Sequence, residues 1–241
     1  MATALILFVV LTIVAYLLGS VPLAYLVVKW ARGIDLRQYG SGNVGASNVV
    51  TVASKRLAVP VIVFDLGKGM LMVWVAQLVG LNVTQQVTVG VAAIVGHNWP
   101  VFLGFNGGRG ALTLAGVALI LAPVAALILM AVVLVFGLFR QMALGAILAM
   151  ASLPMFSWFL DQPLGIEEPL PVTLGFSAMF LLTVIRRLTA PRTSFTASVP
   201  RGQLVINRLL FDRDIRDREA WVHRLPPEVS SSKQREKREK G

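Results

Sequence analysis

The chain has 241 residues, 56% of them hydrophobic and only 14% charged, well short of the roughly 25% charge of a soluble domain. With a mean hydropathy of +0.74, it reads as an all-α, polytopic integral membrane protein. The lack of cysteine excludes disulfides and thiolate nucleophiles, and two histidines, His97 and His223, are too few for a histidine-rich metal cluster, so no metal or other cofactor is expected.

Crossing about 30 Å of hydrocarbon takes about 20 apolar residues. On that measure the spans fall near 4–29, 57–80, 84–104, 111–122, 123–139, 142–160 and 169–186. The first has no Lys or Arg before Lys29, which fits a retained span better than a cleaved secretory signal. The apolar stretch 111–139 is too long for one span and is divided at Pro123, leaving a short first half that reaches partway or is mismatched. Lys29, Arg32, Arg37, Lys55 and Arg56 fall in the first loop, Arg109 in the third, Arg140 in the fifth, and Arg186 and Arg187 open the tail. These are alternate connections, so basic residues staying inside put the N-terminus outside and the C-terminus in the cytoplasm, with seven transmembrane helices.

Two of the cytoplasmic loops are rich in glycine. The first, QYGSGNVGASN, carries Gly40, Gly42 and Gly45 with Ser41, Asn43, Ser47 and Asn48. Alone it reads as a helix-capping turn or as a nest of amides for an oxyanion. The second, GHNWPVFLGFNGGRGA, sets Gly107, Gly108 and Gly110 around Arg109 just before a span, where a guanidinium fork and amide donors would converge on a phosphate. Taken singly, His97 could be a satisfied interfacial histidine, Trp99 an interface anchor and Arg109 a topology marker; together with three glycines they favour a phosphate site. Between the loops, Asp65 and Lys68 lie three apart in an apolar helix and share a face, either as a structural ion pair or as part of a polar site. No GxSxG elbow, HxxxxD motif or transmembrane carboxylate pair is present, which points to chemistry by positioning and electrostatics.

These blocks, with GSVPLAYLVVK (Gly19–Lys29) and FDLGKG (Phe64–Gly69), resemble the bacterial acyl-phosphate:glycerol-3-phosphate acyltransferases of the PlsY type over roughly residues 10–190. The resemblance implies seven membrane helices with an external N-terminus. It also implies transfer of a fatty acyl group from acyl-phosphate to the sn-1 hydroxyl of glycerol 3-phosphate, giving lysophosphatidic acid for phospholipid synthesis at a bacterial cell membrane. Ser41 and Asn43 match the family's first loop, where the serine is needed for activity. His97, Gly107, Gly108 and Gly110 match its glycerol-phosphate loop, and Arg109 stands where lysine is usual. Catalytic roles are therefore expected for Ser41, Asn43, His97 and Arg109. Substrate-phosphate contacts are expected from Gly40, Gly42, Gly45, Asn48, Lys68, Gly107, Gly108 and Gly110. The pattern departs at Thr51, where the family has arginine, and at Arg187 and Ala190, which occupy the histidine and asparagine places of RHxxNIxRL. INRLL at Ile206–Leu210 keeps only the end of that motif, so a catalytic contribution from the tail is not expected. The alternatives are a divergent paralogue that binds lipid phosphates with altered or lost turnover, and a transporter, which an internal repeat would support.

Residues 1–190 are expected to form the transmembrane unit and 191–241 a basic cytoplasmic extension. From Arg186 onward lie 14 Lys and Arg against 7 Asp and Glu, and most of the net charge of +10 arises there. The stretch FDRDIRDREAWVHRL fits either an amphipathic helix on the membrane, using Leu209, Leu210, Phe211, Ile215 and Trp221, or a solvated extension. The terminal basic run lies in solvent or against anionic lipid rather than on nucleic acid. The expected partners are membrane lipid and the two substrates, and the chain is expected to act as a monomer.

Overall fold

The computed structural model describes residues 2–191, 193 and 196–222; His223 and the terminal basic run lie outside them. Every element among the described residues is helical. In chain order they are α1 (Ala2–Gly19), α2 (Leu23–Arg32), α3 (Ala46–Val52), α4 (Lys55–Leu78), α5 (Val83–Asn98), α6 (Ala111–Leu121), α7 (Pro123–Leu138), α8 (Met142–Phe159), α9 (Asp161–Leu164), α10 (Pro169–Leu188), α11 (Arg201–Phe211) and α12 (Arg218–Val222). Four stretches among them are long and apolar enough to cross a bilayer: Ala2–Arg32, Lys55–Leu78, Met142–Phe159 and Pro169–Leu188.

Helix ends follow local chemistry. The Ser54 hydroxyl accepts the Leu57 amide to open α4, and Asn82 and Gln85 form a reciprocal capping box at α5. The divided stretch does break at Ala122, with Pro123 leading α7. At 11 residues, α6 is about 16 Å long, roughly half the hydrocarbon thickness.

Within two expected spans the helix is interrupted or stops early. The first, 4–29, is interrupted at Ser20–Pro22: Pro22 has no amide to donate, and the Leu23 amide turns to Val21 O at 3.1 Å. The break frees the Gly19 carbonyl, which accepts instead from Lys68 Nζ at 3.0 Å. The third, 84–104, stops as a helix at Asn98 because Pro100 follows, and Val101–Leu103 form a 3-10 turn.

The bundle closes through small residues. A Cβ on Gly19 would strike the Ala93 carbonyl and one on Gly96 the Tyr16 carbonyl, so α1 and α5 touch backbone to backbone. Gly69 against Thr113 and Gly116 against Leu66 do the same for α4 and α6. Close approach of this kind replaces the hydrophobic drive that helices lack in lipid. Phe176, Met179, Ile94, Leu114 and Val117 fill the main core, while Leu5, Ile6, Val63, Leu134 and Leu138 face outward.

The expected surface helix or solvated extension is also corrected. Helix α11 packs on α8 and α10, the chain turns at Asp212 in a left-handed conformation (φ 54°), and Trp221 is buried at 5% exposure. Two guanidiniums staple it down. Arg187 donates to Leu209 O at 2.6 Å and Ala143 O at 3.1 Å, and Arg208 donates to Leu188 O and Ala190 O at 2.9 Å each. Buried carbonyls at helix ends need donors, and these two side chains supply them.

Candidate functional site

Asn48 organises the first glycine-rich loop. Fully buried, its Oδ1 accepts the Ser41 amide at 2.9 Å, and its Nδ2 reaches the carbonyls of Leu36, Tyr39 and Asn43 at 3.1–3.3 Å. Gly40 and Gly42 take positive φ (55° and 71°) to wrap the loop around it, while Gly45 is extended at the start of α3. The Gly42 amide donates to Tyr39 O and the Asn43 amide to Ser41 Oγ. The side chain of Asn48 is thus committed to the loop itself.

The second loop is built differently. Gly107 and Gly108 donate their amides back to Asn98 O and His97 O. A Cβ on Gly107 would strike the His97 carbonyl, and one on Gly108 would strike His97 Nε2 and crowd Val44 O, which brings the two loops together. Gly110, at φ 74°, turns the chain into α6. Arg186 clamps the other side: Nη2 donates to Asn106 Oδ1 at 3.0 Å and Gly107 O at 2.9 Å, and Nε to Gly108 O at 3.3 Å. The amides of Ser41, Gly42, Asn43, Gly107 and Gly108 have acceptors inside the loops, so those five are already engaged, and side chains add further donors around them.

Beneath the second loop lies a buried trio. Lys68 Nζ has three acceptors for its three hydrogens: Asp65 Oδ1 at 2.9 Å, His97 Nδ1 at 2.9 Å and Gly19 O at 3.0 Å. His97 Nδ1 also lies 3.5 Å from Asp65 Oδ1, so it faces both members of the ion pair, while Nε2 is turned toward Gly108. The crevice here, lined by Asp65, His97, Gly107 and Gly108, has a volume of about 10 Å³, enough for about one water.

A larger cavity of about 250 Å³ lies on the other side of the loops. Its walls include Ser41 and Gly42, Asn106 and Arg109, Asp35 and Arg37, Arg187 at the end of α10 and Ala190 just after it, and Thr193, Arg208, Asp212, Arg213, Asp214 and Trp221 of the extension. Ser41 and Arg109 therefore share one cavity, whereas His97, Gly107 and Gly108 line the crevice with Asp65, the partner of Lys68. Thr51 is exposed with its hydroxyl on Ser47 O at 3.2 Å and lines neither.

Charge in the large cavity is mostly paired. Arg37 meets Asp35 at 2.6 Å, Arg109 meets Asp212 at 2.6 Å and Arg208 meets Asp214 at 2.7 Å. The hydrogen bond from Arg37 holds the Asp35 carboxyl below its ordinary pKa. Burial pushes Asp214 up, but hydrogen bonds from Arg208, Thr193 and Thr196 outweigh it and leave the group below its ordinary value. Arg186, Arg208, Asp212 and Arg213 were not among the expected site residues. Only the doubled arginine ending α10 left a trace in the sequence, where it reads equally as a topology marker.

A helical membrane protein with a guanidinium-walled cavity falls in the class that has the donors a phosphate-bearing ligand requires. The comparisons specify it further. The profile of the glycerol-3-phosphate acyltransferase family matches residues 9–192, and the chain belongs to that family. "Glycerol-3-phosphate acyltransferase 4" of Dehalococcoides mccartyi is 48% identical over 217 residues, 90% of this chain and 94% of that protein. The glycerol-3-phosphate acyltransferase of Pseudomonas aeruginosa PAO1 is 42% identical over 167 residues, 68% and 87% of the two chains. Among solved structures, the glycerol 3-phosphate form of PlsY, an integral membrane glycerol 3-phosphate acyltransferase, superposes with a TM-score of 0.70 at 32% identity, covering 87% of this chain and 95% of that one. Its lysophosphatidic acid form gives 0.67 at 30% identity, covering 89% and 97%. A match of 217 residues cannot fit within the first 192, so similarity to the D. mccartyi protein takes in part of the extension.

Proposed function

We propose that this chain transfers a fatty acyl group from acyl-phosphate to the sn-1 hydroxyl of glycerol 3-phosphate, releasing lysophosphatidic acid and inorganic phosphate. One observation carries the reading. Ser41 and Arg109, from loops on either side of α4 and α5, wall a single cavity rich in guanidinium groups, as two phosphate-bearing substrates require. Residues 1–190 supply seven spans with the N-terminus outside, and the cavity opens at the cytoplasmic face of a bacterial plasma membrane. Residues 191–241 form the basic cytoplasmic extension. The alternation of basic connections supports that orientation, and a cavity complete within one chain supports a monomer.

The chemistry follows from which groups are free. Ser41 Oγ accepts the Asn43 amide at 3.3 Å, leaving its O–H to donate to an acyl carbonyl or phosphate oxygen. The substrate hydroxyl attacks the acyl carbon, the bond from that carbon to the phosphate oxygen breaks, and phosphate leaves with the electron pair. The hydroxyl proton goes to a phosphate oxygen of the substrates, whose second pKa is about 6. Each carboxylate in the wall is tied to an arginine, which makes it a poor base, and His97 Nδ1 is occupied by Lys68 in a separate crevice. Both facts favour the substrate as base.

The test supplies purified protein in lipid with acyl-phosphate and glycerol 3-phosphate and follows both products. Turnover that falls about a hundredfold in Ser41→Ala and Arg109→Ala is the expected result. Binding without turnover would instead identify a non-catalytic paralogue, and accumulation of label inside vesicles a transporter.

A further inference from the structure

Once the three ion pairs of the large cavity are formed, two of its five guanidiniums, Arg187 and Arg213, have no carboxylate of their own among the described residues. Arg187 is buried at 3% exposure, and its Nη atoms hold the carbonyls of Leu209 and Ala143. Its Nε is buried with no acceptor. Arg213 Nε and Nη1 are likewise buried and without an acceptor, and the guanidinium carbon lies over the Phe211 ring, 5.1 Å from its centroid. Three guanidinium nitrogens without an acceptor thus belong to two cations that line one cavity. A buried donor left without an acceptor is costly, and a charged one more so. Arrangements of this kind persist where a ligand completes them.

We propose that Arg213, supported by Arg187, is a further substrate-binding residue, forming a second cationic pole of the cavity that holds a phosphate group. The pole is distinct from Arg109, which lies on the second glycine-rich loop. Its position after α11 gives the extension a direct part in substrate recognition. Two phosphates enter the proposed reaction, one on glycerol and one on the acyl donor, and the chemistry of Arg213 suits either. Which of the two it holds rests on the acyl-transfer reading; that it holds phosphate does not.

Arg213→Gln and Arg213→Lys separate binding from folding. In Arg213→Gln, the KM for glycerol 3-phosphate or for acyl-phosphate rises about tenfold, with kcat within about threefold and an unchanged melting temperature. Arg213→Lys recovers most of the loss, and the substrate whose KM moves is the one the residue holds. Independently of turnover, millimolar inorganic phosphate raises the melting temperature of the unsubstituted protein more than that of Arg213→Gln. Equal phosphate stabilisation in both proteins together with unchanged KM values overturns the proposal, as does a KM rise that merely tracks a lowered melting temperature. Absence of turnover in the unsubstituted protein would count against the acyl-transfer reading, while the phosphate shift would still decide for or against Arg213.

Discussion

Replacing Lys68 by Met tests whether the trio under the second loop holds the site in shape. The Lys68 and Asp65 side chains are 1% and 4% exposed and 2.9 Å apart. Without the ammonium, Asp65 keeps only His97 Nδ1 at 3.5 Å, which pairs with it only if the ring gains a proton. The Gly19 carbonyl, freed by the break between α1 and α2, loses its donor. Removing one partner of a buried pair costs about 3–5 kcal/mol, because a charge is left behind uncompensated. A chain of this length loses about 2–4 °C of melting temperature per kcal/mol, so Lys68→Met should melt roughly 10 °C lower in detergent or lipid. The double variant Asp65→Leu/Lys68→Met removes both charges and should recover about half of that loss, since apolar replacement of a whole pair is often close to neutral. A single variant melting within about 2 °C of the unsubstituted protein, or a double variant less stable than the single, would refute the reasoning.

Three further outcomes follow from the geometry. Asn48→Ala removes four hydrogen bonds from the first loop, and at about 1 kcal/mol net each it should cost about 4 kcal/mol of stability in a melting assay and lower turnover along with it. Gly108→Ala places a methyl group against His97 and the Val44 carbonyl; separation of the two loops should cut kcat at least about tenfold in the acyl-transfer assay, while Gly33→Ala, with open space at its Cβ position but a positive φ of 68°, should cost only about 1 kcal/mol by the same melting measurement. Asp214 has a depressed pKa in the folded protein, so its contribution is present above the unfolded value of about 3.9 and disappears as pH falls through the folded one. Docking of α11, followed by protease sensitivity of residues 201–222, should hold near neutral pH and loosen only below about pH 4, and Asp214→Asn should weaken it at pH 7.

Much of the bundle was legible because hydropathy over about 20 residues is a strong signal, and the length of 111–139 with a proline near its middle put the cut at Pro123, where the helix does break. The misplaced ends came from prolines whose apolar neighbours outweighed them: Pro22 divides the first span and Pro100 shortens the third. The candidate site was legible in composition but less so in mechanism. Glycines in both loops suggested amides reaching a ligand, yet Gly107 and Gly108 are small because His97 lies against them, and a sequence does not say which side of a backbone is crowded. Asn48 looked like a ligand contact by residue type, whereas burial makes it a hub. The extension was hardest to read. Nothing local to Asp212 points to Arg109, 103 positions away, and the mixed charges after Phe211 fit an exposed helix as well as they fit a wall.

Arg109 meets Asp212 through Nε alone, which leaves the rest of its fork to a second acceptor. An anion settling on that edge meets a cation whose charge is already partly offset, so a doubly charged monoester is held more firmly there than a singly charged fatty acid. Discrimination between soap and ester is then tuned by a carboxylate of the extension.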